Sequence, residues 1–202
     1  MEMKKIKLQN EGHVYCKSRF YSAQDSLSNN LSYHFHAGIN KLEGEIDSGI
    51  WAISYLLSMY EHRPQDFILF ERPEALVDDQ VVHLRDLAPF SCYMDSSYPL
   101  FSSKDTTREL VTRGLQKEKA SSSAEEIRDL FQIDKERFER PLTGMGNEIF
   151  KAMAAIGYCH NKEIFCFPWL SRSRFQNYHD HLSVLLKTLE DLRKIIIVPT
   201  GM

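Results

Sequence analysis

The stretch from Gly38 to Glu61 limits the folds open to this 202-residue chain more than any other. It begins as a short apolar strand, passes through a loop with glycines at Gly44 and Gly49, and enters an apolar helical run from Trp51 to Met59. Strand, glycine turn and helix in that order form the skeleton of a phosphate-binding loop. A working loop reads Gly, four residues, Gly, Lys, then Ser or Thr: backbone N–H groups cradle the phosphates, the lysine neutralises them and the hydroxyl holds magnesium. Here Ile50 stands at the lysine position and Trp51 at the hydroxyl position, while Glu45 and Asp47 add negative charge where phosphate would sit. The candidate loop residues are therefore Gly44, Asp47, Ser48, Gly49, Ile50 and Trp51. Any surviving nucleotide contact would rest on the backbone N–H groups of Ser48 and Gly49. Two glycines at this spacing also occur by chance between a strand and a helix, so the order of the other elements has to decide.

Upstream, Lys5 to Leu8 and His13 to Cys16 alternate short apolar and polar residues, which suits two edge strands joined by a turn at Asn10-Glu11-Gly12. The polar segment Ser22 to Asn30 reads as a loop, and Leu31 to His36 alternates strictly, with His34 and His36 on one face. Downstream, Asp66 to Phe70 reads as a strand, and Ala75 to Arg85 as strand-like and turn-like pieces. Helix-prone, strongly charged sequence then runs from Lys104 to Phe138, with one helix over Thr106–Gln116 and another over Ser123–Ile133. The second opens on Ser123-Ala-Glu-Glu126, a capping-box pattern. Gly144 to Glu148 leads into a helix from Ile149 to Tyr158, Glu163 to Phe167 reads as a buried strand, Leu182 to Leu192 as an amphipathic helix, and Ile195 to Val198 as a last buried strand. Helix alternating with uninterrupted apolar strand argues for an α/β layer. Phe165, Phe167 and Trp169 alternate, and are expected to extend the core toward the space a nucleotide would enter.

Several chemistries are set aside on composition and spacing. With 26% charged residues and a net charge of −3, no basic excess points to nucleic acid. Cys16, Cys92, Cys159 and Cys166 lack CxxC spacing and read as reduced, packed thiols of a cytosolic protein. His34 and His36 have no third ligand nearby, and His179 and His181 fall on different faces of a helix that has begun, so no metal site is expected. No apolar run reaches the roughly 18 residues of a membrane span; contact with a membrane would come through a partner.

With these pieces in order, the chain resembles the nucleotide-binding domain of ATP-binding cassette (ABC) transporters over nearly its full length. The middle carries the likeness best: Phe101 to Gly114 is similar to the start of the family's helical subdomain. Glu125 to Pro141, with Leu130-Phe-Gln-Ile-Asp134 and Glu139-Arg-Pro141, is similar to the approach to its signature. The resemblance implies a P-loop NTPase-like α/β fold: a mixed central sheet with flanking helices, N-terminal antiparallel strands and an inserted helical subdomain. It implies one domain over 1–202, with antiparallel strands in 1–37, a core lobe in 38–101 and 159–202, and the helical subdomain with a signature-like helix in 102–158.

Residue by residue, the resemblance departs where chemistry happens. The family's catalytic Asp-Glu falls on Pro168 and Trp169, its γ-phosphate-sensing glutamine near Asp95 or Ser96, and its switch histidine on Thr200. The signature falls on Gly144 followed by Met145, Gly146, Asn147 and Glu148; a register two residues earlier, Leu142 to Gly146, retains a hydroxyl at Thr143. Tyr15 is a candidate for the aromatic that stacks on adenine, or a core tyrosine. The resemblance therefore implies a pseudo-ATPase with no catalytic residue, and with ATP and magnesium only if residual binding survives. Such a subunit would sit in the cytoplasm or peripherally at the inner face of the membrane. It would pair with itself or with an active cassette and dock on a permease. The alternative is a stand-alone interaction or regulatory protein that keeps the fold.

Overall fold

The computed structural model describes residues 5–10, 14–17, 24–27, 31–45, 50–59, 67–69, 74–101 and 104–201. In the N-terminal part, β1 (Lys5–Asn10) buries Ile6 and Leu8 and turns Lys5 and Lys7 outward. It pairs antiparallel with both β4 (Leu31–His36) and β7 (Glu74–Val77). The sheet is completed by β8 (Gln80–Val82), which returns from β7 through Asp78 and Asp79 at φ +48° and +67°. Both central residues at positive φ make the tight turn whose twist matches the strands it joins. Lys5 Nζ reaches Asp79 at 2.5 Å and ties that turn to β1.

Three sequence expectations are corrected here. β1 is an interior strand and does not form a hairpin with β2 (Val14–Lys17), which pairs instead with β3 (Gln24–Leu27) and β6 (Phe67–Leu69). β3 itself lies inside the Ser22–Asn30 segment read as a loop. Among the described residues it has one neighbour, β2, and an edge strand needs little apolar sequence. Lastly, β6, β7 and β8, grouped with the core on sequence, join the other sheets: β6 pairs with β2, β7 with β1, and β8 with β7. Alternation defines which face of a strand is apolar but not which strand lies beside it.

A second sheet is wholly parallel: β5 (Gly38–Glu43), β11 (Ile195–Thr200), β10 (Ile164–Cys166) and β9 (Ser91–Tyr93), in that order. All residues of β9, β10 and β11 are buried, as strands covered on both faces must be. One face is covered by α1 (Ile50–Ser58), whose Tyr55 ring lies 5.0 Å from that of Tyr93. On the other, α6 (Ile149–Cys159) lies so close that a methyl at Gly157 would meet Cys92 Sγ and the Phe165 ring at 3.0 Å. Cys92 and Tyr93 are successive residues and so point to opposite faces, which sets α1 and α6 on opposite sides. The helix α8 (His179–Asp191) packs against α6, β5 and β11, with α7 (Arg172–Asn177) before it. A half-hidden ion pair, Lys194 Nζ to Glu163 Oε1 at 2.7 Å, joins the starts of β10 and β11.

Between β9 and β10 run α3 (Thr107–Glu118), α4 (Ala124–Leu130) and α5 (Lys135–Phe138), followed by α6. Both α3 and α4 open with complete capping boxes, Thr106 with Glu109 and Ser123 with Glu126. Each box satisfies orphan N–H groups and suits the acidic residue to the positive helix end. Arg108 bonds Glu125 and Glu139 and lies 5.3 Å from the Phe138 ring, holding the three short helices together.

Candidate functional site

The strand order gathers distant positions at the C-terminal ends of the parallel sheet, the end at which open α/β sheets place ligands. Gly44 follows β5, Pro168 and Trp169 follow β10, and Thr200 closes β11, which lies between the other two. The Gly44 N–H donates to the Thr200 carbonyl at 3.0 Å, and the Trp169 indole Nε1–H donates to the Gly44 carbonyl at 3.1 Å. Both backbone groups of the first loop glycine are thereby engaged. Beyond Trp169 the chain stays zipped to β11: Leu170 N–H donates to Pro199 O and Gly201 N–H to Leu170 O, each at 3.0 Å.

Ile50 and Trp51 form the first turn of α1 and are 7% and 3% exposed. Trp51 packs edge-on at 6.0 Å against Tyr55 of the same helix, and Tyr55 against Tyr93, which anchors α1 to the sheet. Burial raises the Tyr55 phenol pKa, and Asp95 raises it further. Asp95 lies in a turn after β9, its Oδ1 accepting the Ser97 N–H at 2.8 Å, with Ser96 exposed beside it. Asp47, Ser48 and Gly49 lie outside the described residues, as does the Tyr15 side chain.

The signature-like segment folds as two short 3-10 turns, Leu142–Gly144 and Gly146–Glu148, ahead of α6. Met145 is fully buried, and its carbonyl accepts from Arg137 Nη1 at 3.0 Å. Gly146, at φ +54°, and Asn147 are exposed, whereas Glu148 is 8% exposed and accepts the Asp134 N–H at 3.1 Å. Leu142 is buried and Thr143 exposed. Met145 is a core side chain in either register.

Elsewhere, His34 and His36 are exposed opposite Lys7 and Lys5. Among the described residues no group of three or more His, Cys, Asp and Glu could hold a metal ion. His181 is half-buried in the first turn of α8. Phe165 and Phe167 are fully buried, the latter 5.5 Å from Phe150 of α6. The positions Gly44, Ile50, Trp51, Pro168, Trp169 and Thr200 together supply one hydroxyl and no charged side chain. The Trp169-to-Gly44 contact was not legible in sequence, because nothing local states that β11 inserts between β5 and β10.

Neither family models nor curated protein sequences yield a match. Solved structures do. A putative ABC transporter ATP-binding protein from Pyrococcus furiosus superposes with TM-score 0.64 at 11% identity, covering 97% of this chain and 92% of that one. A bacterial Atm1-family ABC exporter with ATP bound superposes with TM-score 0.59 at 15% identity, over 99% of this chain.

The fold is that of an ABC-transporter ATP-binding cassette.

The chain spans 34% of that exporter chain and nearly the whole of the Pyrococcus protein. At such identities what is shared is the fold. Among the described residues no helix of the cassette is long and apolar enough to cross a membrane.

Proposed function

We propose that this chain is a cassette that retains the architecture of an ATP-binding transporter subunit without hydrolysing ATP. It pairs with itself or with an active cassette and docks on a membrane permease at the cytoplasmic face. The observation that carries the reading is the Trp169 indole, which closes on the Gly44 carbonyl at a position that the sequence resemblance aligns with the family's catalytic glutamate. Ile50, Trp51 and Thr200 bring no counter-charge, metal ligand or proton acceptor of the required kind. Loss of a single such group costs on the order of 10²- to 10³-fold in rate, so their joint loss leaves no useful turnover.

The test is a titration of the purified chain with ATP and magnesium, followed by a turnover assay. The expected result is no saturable heat and no hydrolysis above the protein-free background; magnesium-dependent turnover would overturn the proposal. Affinity capture from native membranes tests the partner: recovery of a multi-span permease supports the transporter role. A purely soluble partner favours a stand-alone regulatory protein built on the same fold.

A further inference from the structure

At the opposite end of the parallel sheet, before the starts of β9 and β10, lies a cavity of about 440 Å³. That volume falls within the roughly 300–1,000 Å³ typical of small-molecule sites. Its walls mix two kinds of surface. Pro89, Phe90, Tyr98, Pro99 and Leu100 supply its apolar parts, and Lys117 and Lys162 a cationic one, with Glu118 beside them.

Lys162 is the unusual member. It is half-buried, donates to the Pro89 carbonyl and lies 5.9 Å from the Tyr98 ring, yet among the described residues neither it nor Lys117 forms an ion pair. Lys194, similarly placed at the start of β11, is matched by Glu163. An ammonium partly withdrawn from water and not directly paired is costly unless a counter-ion arrives. Burial lowers the Lys162 pKa; the nearby Lys117 adds to that, and Glu118 opposes it. Burial also lowers the pKa of His160 at the cavity wall, so this ring adds no charge at neutral pH.

We propose that this cavity binds a small monoanionic carboxylic acid with a flat apolar body. The carboxylate lies between Lys117 and Lys162, and the body rests on Phe90 and Tyr98. Two lysines against one glutamate leave a single positive charge to match. The carbonyl ends of α3 and α6 reduce that surplus further, so the site suits one negative charge better than the two of phosphate.

The experiment is calorimetric titration of the full chain with sodium benzoate, with benzamide and inorganic phosphate as comparisons. Benzoate is expected to bind saturably, benzamide not at all and phosphate more weakly. Lys162→Met keeps the aliphatic stem and is expected to lower benzoate affinity about tenfold or more, the loss of one charge-assisted hydrogen bond. In the unsubstituted protein, acetylation of Lys162 followed by mass spectrometry should slow when benzoate is present, a readout that does not depend on the variant folding. Equal binding of benzoate and benzamide, absence of benzoate binding, phosphate binding as tight as benzoate, or unchanged acetylation would each overturn the proposal.

Discussion

At the residue scale, Trp169 joins two strand ends through a single indole N–H. Trp169→Phe keeps most of the ring and deletes the donor, leaving the Gly44 carbonyl without this partner. Urea denaturation should show a loss of about 1 kcal/mol. Trp169→Ala also removes the packing of a half-buried ring and should cost about 2 kcal/mol or more. A phenylalanine variant as stable as the parent would mean that the indole merely lies near the glycine. That positions 44, 169 and 200 lie near strand ends was legible from the apolar strand runs before them. The contact of Trp169 with Gly44 was not, because it depends on a third strand lying between them.

At the scale of elements, local chemistry made the helices readable. Ser123-Ala-Glu-Glu126 is a cap written into four residues, and the structure places both of its reciprocal hydrogen bonds. The polar strand Gln24–Leu27 was missed for the converse reason: its signal lies in the hydrogen bonds of a neighbour, β2, and not in its own side chains. Gly114 of α3 shows a local rule overridden by packing. On helix propensity alone, Gly114→Ala gains about 1 kcal/mol. Yet a Cβ there would stand 2.8 Å from both the Cys159 carbonyl oxygen and the His160 ring, and a backbone oxygen at a helix end has little room to retreat. Overpacking of this kind costs about 1–3 kcal/mol. With the propensity gain subtracted, the variant should be destabilised by up to about 2 kcal/mol in a chemical melt. An unchanged or raised midpoint would show that α3 can slide away from α6.

Across the whole molecule, the parallel sheet is the most deeply buried layer, and its thiols report on it. Cys92 and Cys166 lie on adjacent strands with no exposure; burial pushes Cys92 up to about 12 and Cys166 higher still. Only the exposed thiolate reacts, so at pH 8 both should resist iodoacetamide in the native state and become labelled along with global unfolding in guanidinium. Labelling at the rate of a free thiol would place the sheet in a segment that opens on its own. The sequence by itself determined the period and burial of most elements, the caps of its helices, the order strand, glycine turn, helix, and the uncharged side chains at Ile50, Trp51, Pro168 and Trp169. These follow from residues within a turn or a few positions of one another. Only the tertiary structure decided that β11 enters between β5 and β10, that β1 and β2 take different partners, that Trp169 meets Gly44, and that Lys162 and Lys117 line one cavity. Those outcomes depend on which distant surfaces exclude water together, and no local pattern encodes that competition.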